Sequence, residues 1–75
     1  MITAYSVKVT TDSLFDAPEY NTFKTIKELN AWLDRFAESL LTSRMVKRTC
    51  VFYEIHAQVD GGYREIEYDS GCYGI

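Results

Sequence analysis

The sequence predicts an α+β fold, a two-layer sandwich in which one amphipathic helix lies across an antiparallel sheet of three or four strands. Three patterns support this prediction. Residues 2–10 alternate polar and apolar side chains, residues 25–41 repeat apolar side chains at helical spacing, and residues 46–69 hold two β-rich runs joined by an Asp-Gly-Gly sequence. A chain of 75 residues has room for one domain, covering residues 1–75, with one core.

The first strand is predicted at residues 2–10, where the alternation is regular. Residues 11–18 contain two aspartates, a serine and the only proline of the chain, a composition typical of a loop. The apolar Leu14 and Phe15 suggest that this loop folds back onto the core. Residues 19–23 are compatible with a short second strand, which gives the layout β(β)αββ.

The helix is predicted to start at Thr25. Thr25 and Glu28 have the spacing of a capping box, in which each side chain satisfies a backbone N–H that the first turn leaves free. Trp32 falls at the edge of the apolar stripe, and the helix is expected to fade over residues 42–44. The stripe consists of Ile26, Leu29, Leu33, Phe36, Ala37, Leu40 and Leu41.

A β-hairpin is predicted from two β-rich runs, residues 46–60 and 63–69, because the Asp-Gly-Gly sequence between them tolerates positive φ. If the two glycines form the turn, Ala57 pairs with Ile66. If the turn lies one residue earlier, Ile55 pairs with Ile66. Both registers leave every side chain on the same face of the sheet.

The two faces of the sheet are expected to differ. The helix is predicted to cover the face made by Tyr5, Val7, Val9, Val51, Tyr53, Ile55, Ile66 and Tyr68. The opposite side, called the outer face below, must meet water, another subunit or a partner. Its aromatic and acidic residues are typical of an interface with a basic protein surface, to which Tyr73 would add an anchor, although a solvated face is the alternative. The predicted partner-binding residues are Phe52, Glu54, His56, Tyr63, Glu65, Glu67 and Asp69.

No catalytic, cofactor or metal site is predicted, and the chain is expected not to be an enzyme. His56 shares the outer face with Glu54 and Glu67, but a flat sheet face offers neither a pocket nor a third orienting group. Cys50 and Cys72 lack CxxC spacing and are predicted to point to opposite faces, so both are expected to be free thiols.

The charge balance argues against nucleic acid as the main partner, since eight Lys and Arg stand against eleven Asp and Glu, a net charge of −3. The one basic cluster, formed by Arg44, Lys47 and Arg48, is more simply explained as stabilising the end of the helix. The apolar runs are far shorter than the roughly 20 residues that cross a bilayer, and residues 1–9 lack a secretory apolar block. We expect no membrane contact and a cytoplasmic location.

In size, acidity and strand–helix–hairpin layout, the chain resembles small phage or mobile-element proteins, among them the anti-CRISPR inhibitors. Some of these present acidic surfaces where a nuclease complex expects nucleic acid, a part that Glu54, Glu65, Glu67 and Asp69 would take here. The resemblance implies a non-enzymatic protein-binding module that inhibits a defence complex in the host cytoplasm. The alternatives are a nucleic-acid-binding accessory protein that uses the basic cluster and a small housekeeping dimer, since so small a core favours self-association.

Overall fold

The fold is a four-stranded antiparallel sheet with one helix against one face, described for residues 1–74 by a computed structural model. The strand order is β2-β1-β3-β4, and every neighbouring pair is antiparallel. The predicted α+β class is therefore confirmed, with residues 19–23 as a true strand. The elements are β1 (Ile2–Thr11), β2 (Glu19–Phe23), α1 (Ile26–Leu41), β3 (Cys50–Val59) and β4 (Arg64–Gly74).

The helix begins where its cap predicts. Thr25 has extended backbone angles, and its side-chain oxygen accepts a hydrogen bond from the backbone N–H of Glu28 at 3.2 Å. This is the Thr25 half of the capping box. Trp32 packs at the edge of the apolar stripe, with its ring 5.6 Å from that of Phe23 and stacked 4.7 Å from that of Phe36. The helix ends at Leu41, immediately before residues 42–44, over which it is predicted to end.

The core lies between α1 and the two central strands. Its central buried cluster consists of Val7, Val9, Leu29, Leu33, Ala37, Val51 and Ile55, and Ala57 and Val59 of β3 are also buried. Ile66 and Tyr68 were also predicted to lie under the helix, but they are 48% and 47% exposed. The reason is width: a helix is about 10–12 Å across, whereas four strands about 4.8 Å apart are wider. α1 contacts β1, β2 and β3 and leaves most of β4 uncovered.

The turn between β3 and β4 fixes the first part of their register. Asp60, Gly61 and Gly62 form a tight turn with φ of 55°, 70° and 97°, in the left-handed region where glycine costs least, and the N–H of Tyr63 donates to the carbonyl of Asp60 at 3.5 Å. Next to it Ala57 pairs with Ile66, the register that a turn at the two glycines predicts.

A β-bulge at Tyr68 then changes the register. The extra residue makes Ile55 pair with Asp69, and from there to Gly74 each residue of β4 lies on the face opposite to the predicted one. Asp69 and Tyr73 therefore share the helix side with Ile55, while Cys72 pairs with Phe52 on the outer face. The predicted faces of these three residues are wrong, and Cys50 and Cys72 lie on the same face.

The end of β4 is fastened to the helix through Tyr73. Its phenolic O–H donates a 2.6 Å hydrogen bond to the carboxylate of Asp34, and its ring lies 5.6 Å from that of Tyr53. Burial raises the pKa of the Tyr73 phenol, and the Asp34 carboxylate raises it further. Tyr73 is therefore a packing residue of the helix side and not an outer-face anchor.

Gly71 makes room for this aromatic pair. A Cβ at Gly71 would lie 2.7 Å from the hydroxyl and 3.0 Å from Cζ of Tyr53, so Gly71→Ala would push a packed ring. We expect it to lower the free energy of unfolding by about 1–2 kcal/mol in urea titrations. Gly74→Ala is the matched control, since its Cβ would meet its nearest atom at 3.9 Å. Equal stability of the two variants would contradict the placement of Tyr53.

Candidate functional site

The outer face is built by strand alternation and register. The row that crosses all four strands at His56 contains Thr22, Ser6, His56 and Glu67, and the next row contains Tyr20, Lys8, Glu54 and Ser70. Because directly paired residues of antiparallel strands share a face, these polar side chains lie side by side. The sheet thus gathers charges from distant parts of the chain on one surface.

A shallow groove of about 420 Å³ runs across this face. It is open to solvent and is not a closed pocket. Its lining combines charged, polar and aromatic side chains, including Lys8, Tyr20, Glu54, His56 and Glu65. A groove of this form suits an extended segment or a flat partner surface better than an enclosed small molecule.

His56 is held by a carboxylate within the groove. Its Nδ1 lies 3.2 Å from an Oε1 oxygen of Glu65, and in the sheet register it stands directly opposite Glu67. The predicted proximity of His56 to Glu67 is confirmed, although the hydrogen-bond partner of the His56 ring is Glu65. Both members of the pair remain partly exposed, so a partner's donors can reach the free lone pairs of the Glu65 carboxylate.

The outer face is acidic and carries two accessible aromatic rings. Glu54, Glu65 and Glu67 oppose one lysine, Lys8, within the rows and groove described above. Phe52 is 44% exposed and Tyr20 is 68% exposed. Sequence reasoning missed Tyr20 and Lys8 as site residues. Extending the alternation to residues 19–23 would have placed Tyr20 and Thr22 on one face.

Two predicted site residues lie elsewhere. Tyr63 closes the turn before β4 and is almost fully exposed outside the sheet rows. Asp69 stands opposite Ile55 on the helix side, and its carboxylate accepts a hydrogen bond from the backbone N–H of Ser70. The acidic row therefore contains Glu54, Glu65 and Glu67 and not Asp69, because the bulge reverses the faces after Tyr68.

One residue of the basic cluster, Arg48, is engaged in contacts within the fold. Arg48 forms a bidentate pair with Asp16, at 2.5 Å and 2.9 Å, and donates to the backbone carbonyl of Leu40 at 3.0 Å. The two side chains are only 8% and 19% exposed. The Arg48 guanidinium and the Thr11 hydroxyl lower the pKa of Asp16 to about 2. Only Arg44 and Lys47 of the cluster remain accessible to a phosphate.

The loop between β1 and β2 is held by polar contacts and not by its apolar side chains. The carboxylate of Asp12 accepts hydrogen bonds from the hydroxyl and N–H of Thr49 and from the N–H of Cys50, and the Thr49 hydroxyl is the main cause of a lowered Asp12 pKa. Leu14 and Phe15 are almost fully exposed, so the prediction that they pack on the core is wrong.

Comparisons with protein families, with characterised proteins and with solved structures give no match, so the function must be inferred from the residues of this chain. Within residues 1–74, no helix has the length and apolar character needed to cross a membrane. The same residues contain no group of three or more His, Cys, Asp or Glu side chains arranged to hold a metal ion.

Proposed function

We propose that the chain is a non-enzymatic protein-binding module whose outer face receives a partner with a basic surface. The observation that supports this most directly is the composition of that face, where the exposed rings of Phe52 and Tyr20 flank three carboxylates and a single lysine. Exposed aromatic rings are frequent anchors of protein interfaces, and carboxylates pair with Arg and Lys.

The rings and the carboxylates have different tasks in this proposal. Glu54, Glu65 and Glu67 are all exposed, so each ion pair contributes little affinity; together they speed the encounter and exclude acidic partners. Phe52 and Tyr20 supply the apolar area that a partner buries. A partner that fits has Arg or Lys side chains around an apolar centre.

The specific role that we propose is inhibition of a nucleic-acid-binding defence complex, of the anti-CRISPR type. A surface on which carboxylates outnumber cations by three to one competes with phosphates for the same Lys and Arg side chains. Such competition requires no pocket and no chemical step, in agreement with an open groove.

The proposal is tested by charge reversal with a matched control. Glu65→Lys/Glu67→Lys changes the outer face, while Glu19→Lys/Glu38→Lys makes the same net charge change at exposed positions outside it. We expect the first variant to lose at least tenfold in affinity for a partner captured from host lysate, and the second to retain most of it. Melting temperatures should stay close to wild type in both.

Equal loss in both variants would show that net charge alone matters, and no loss in either would show that the outer face is not used. The inhibitor role has its own measurement, in which target DNA binding by a purified CRISPR effector complex is titrated with the chain. The Glu65→Lys/Glu67→Lys variant should fail to reduce that binding. An effector unaffected by wild-type chain would remove the inhibitor role for that complex while leaving protein binding open.

A further inference from the structure

The two edges of the sheet are unequal. β2 has five residues and follows Pro18, so its free edge has few backbone groups with which another strand could pair. β4 has eleven residues, and its far edge faces no other strand within residues 1–74. Natural proteins protect long edge strands with lysine, proline, charged side chains, bulges or a covering segment; β4 contains no lysine or proline, but it carries the bulge at Tyr68 and three acidic residues. Its length nevertheless leaves a row of backbone N–H and C=O groups that another strand can pair with.

Uncovered apolar side chains lie along the same edge. Ile66 and Tyr68 point to the helix side of the sheet, yet α1 does not reach them. Tyr68 meets Tyr5 edge-on at 5.2 Å, so one side of its ring is packed and the other is open. A strand added beside β4 would cover these two side chains and extend the core past the limit of the helix.

The bulge determines where a two-fold axis can lie on β4. In a regular strand, a two-fold axis between two successive residues would pair each residue with one from the opposite face, which is not allowed. The extra residue at Tyr68 exchanges the faces of the two halves of β4. With the axis between Tyr68 and Asp69, every pair from Arg64 to Tyr73 then joins residues of the same face.

We propose that β4 pairs antiparallel with β4 of a second copy about this axis, forming one eight-stranded sheet. The register opposes Glu65 to Cys72 of the second copy and Glu67 to Ser70 of the second copy, so no two carboxylates stand directly opposite. On the helix side Ile66 meets Gly71 of the second copy and Tyr68 meets Asp69 of the second copy, so the two Tyr68 rings are diagonal neighbours across the axis. The occupant of the edge is thus a second copy of the same strand.

The closest like charges in this register are the two Asp69 carboxylates, which flank the axis diagonally, each opposite Tyr68 of the second copy. The two Glu67 carboxylates lie three residues apart along the strands, about 10 Å, which is about one Debye length in 0.1 M salt. If the axis passed through Glu67 instead, the two Glu67 residues would stand directly opposite each other. Residues beyond the bulge would then pair with residues of the other sheet face. The dimer also joins the two outer faces edge to edge, although the pairing itself does not depend on the proposed function.

The register is tested by disulfide trapping in a Cys50→Ser background. Glu65→Cys introduces a thiol that, in the proposed dimer, stands opposite native Cys72 of the second copy. Within one chain the two positions are seven residues apart on one strand, about 23 Å, too far to bond. Mild oxidation should give a covalent dimer on a non-reducing gel. Glu38→Cys, at an exposed position on the helix, is the control.

Light scattering of the unmodified chain gives the second measurement. We expect a mass that approaches twice 8.7 kDa as concentration rises, and the monomer mass for Ile66→Lys, whose site is 48% exposed and whose folding is checked by its melting temperature. Phe52→Glu on the outer face should leave the dimer mass unchanged. A monomer at all concentrations, or equal cross-linking of Glu65→Cys and Glu38→Cys, would overturn the proposal.

Discussion

Ile55→Ala is expected to lower the free energy of unfolding by about 2–5 kcal/mol. Ile55 lies at the centre of β3 and is 1% exposed, enclosed between β1 and the helix. Its truncation removes apolar contacts and leaves a cavity that rigid neighbouring strands cannot fill. A chain of this size has a total stability of only about 4–11 kcal/mol, so the variant loses a large part of it.

Two controls separate burial from strand position. Ile55→Val keeps most of the side chain and should cost about 0.5–1.5 kcal/mol. Phe52→Ala removes a larger side chain from the same strand, but from the outer face, where nearly half of it is already in water. Urea titrations should rank the losses with Ile55→Ala first. A larger loss for Phe52→Ala would mean that the helix covers the other face.

Local patterns were sufficient for most of the fold. The Thr25 cap, the apolar stripe of the helix and the alternation in β1 and β3 each depend on residues close in sequence, and each is present in the structure. The turn at the two glycines gave the correct register as far as Glu67. These features could be predicted because their physical causes lie within a few residues of chain.

The outer face was predicted correctly only where the strands are regular. A bulge adds one residue to a strand without altering its composition. Regular alternation continued through Tyr68 therefore assigns Asp69 and Tyr73 to the wrong face of the sheet. The stacking of Tyr53 over Gly71 accompanies this changed register and has no sequence signal of its own.

Contacts between distant residues were the other limit. Arg48 and Asp16 are 32 positions apart, and nothing local indicates that they pair. Without that pair, Leu14 and Phe15 were the obvious candidates to anchor the loop, because apolar residues usually pack inward. The exposed edge of β4 could have been foreseen from geometry, since one helix is too narrow for four strands.

Acid is expected to weaken the fold through Asp16. Its pKa is lowered from the ordinary value of 3.8 to about 2 by hydrogen bonds from Arg48 and Thr11. A carboxyl group with a lower pKa in the folded than in the unfolded chain contributes stability that is fully present above about pH 4. That contribution is lost as the pH falls towards 2, where Asp16 takes up a proton in the folded state as well. Arg48 keeps its charge throughout.

Melting temperatures from pH 6 to pH 2 test this linkage. Asp16→Asn should melt several degrees below wild type at pH 6, because it leaves the guanidinium of Arg48 buried without its counter-charge. Below pH 3 the two curves should approach each other, since wild type then loses the same charge. Asp12, whose pKa is also lowered, keeps some acid sensitivity in the variant.

The double variant Asp16→Asn/Arg48→Met tests whether the unpaired guanidinium of Arg48 causes the lower melting temperature of Asp16→Asn. It removes both charges while keeping an apolar stem under the helix end, so it should recover part of the melting temperature that Asp16→Asn loses. As for Asp16→Asn, its melting temperature should fall less between pH 6 and pH 2 than that of wild type. A double variant as unstable as Asp16→Asn at pH 6 would show that the unpaired guanidinium does not account for the loss.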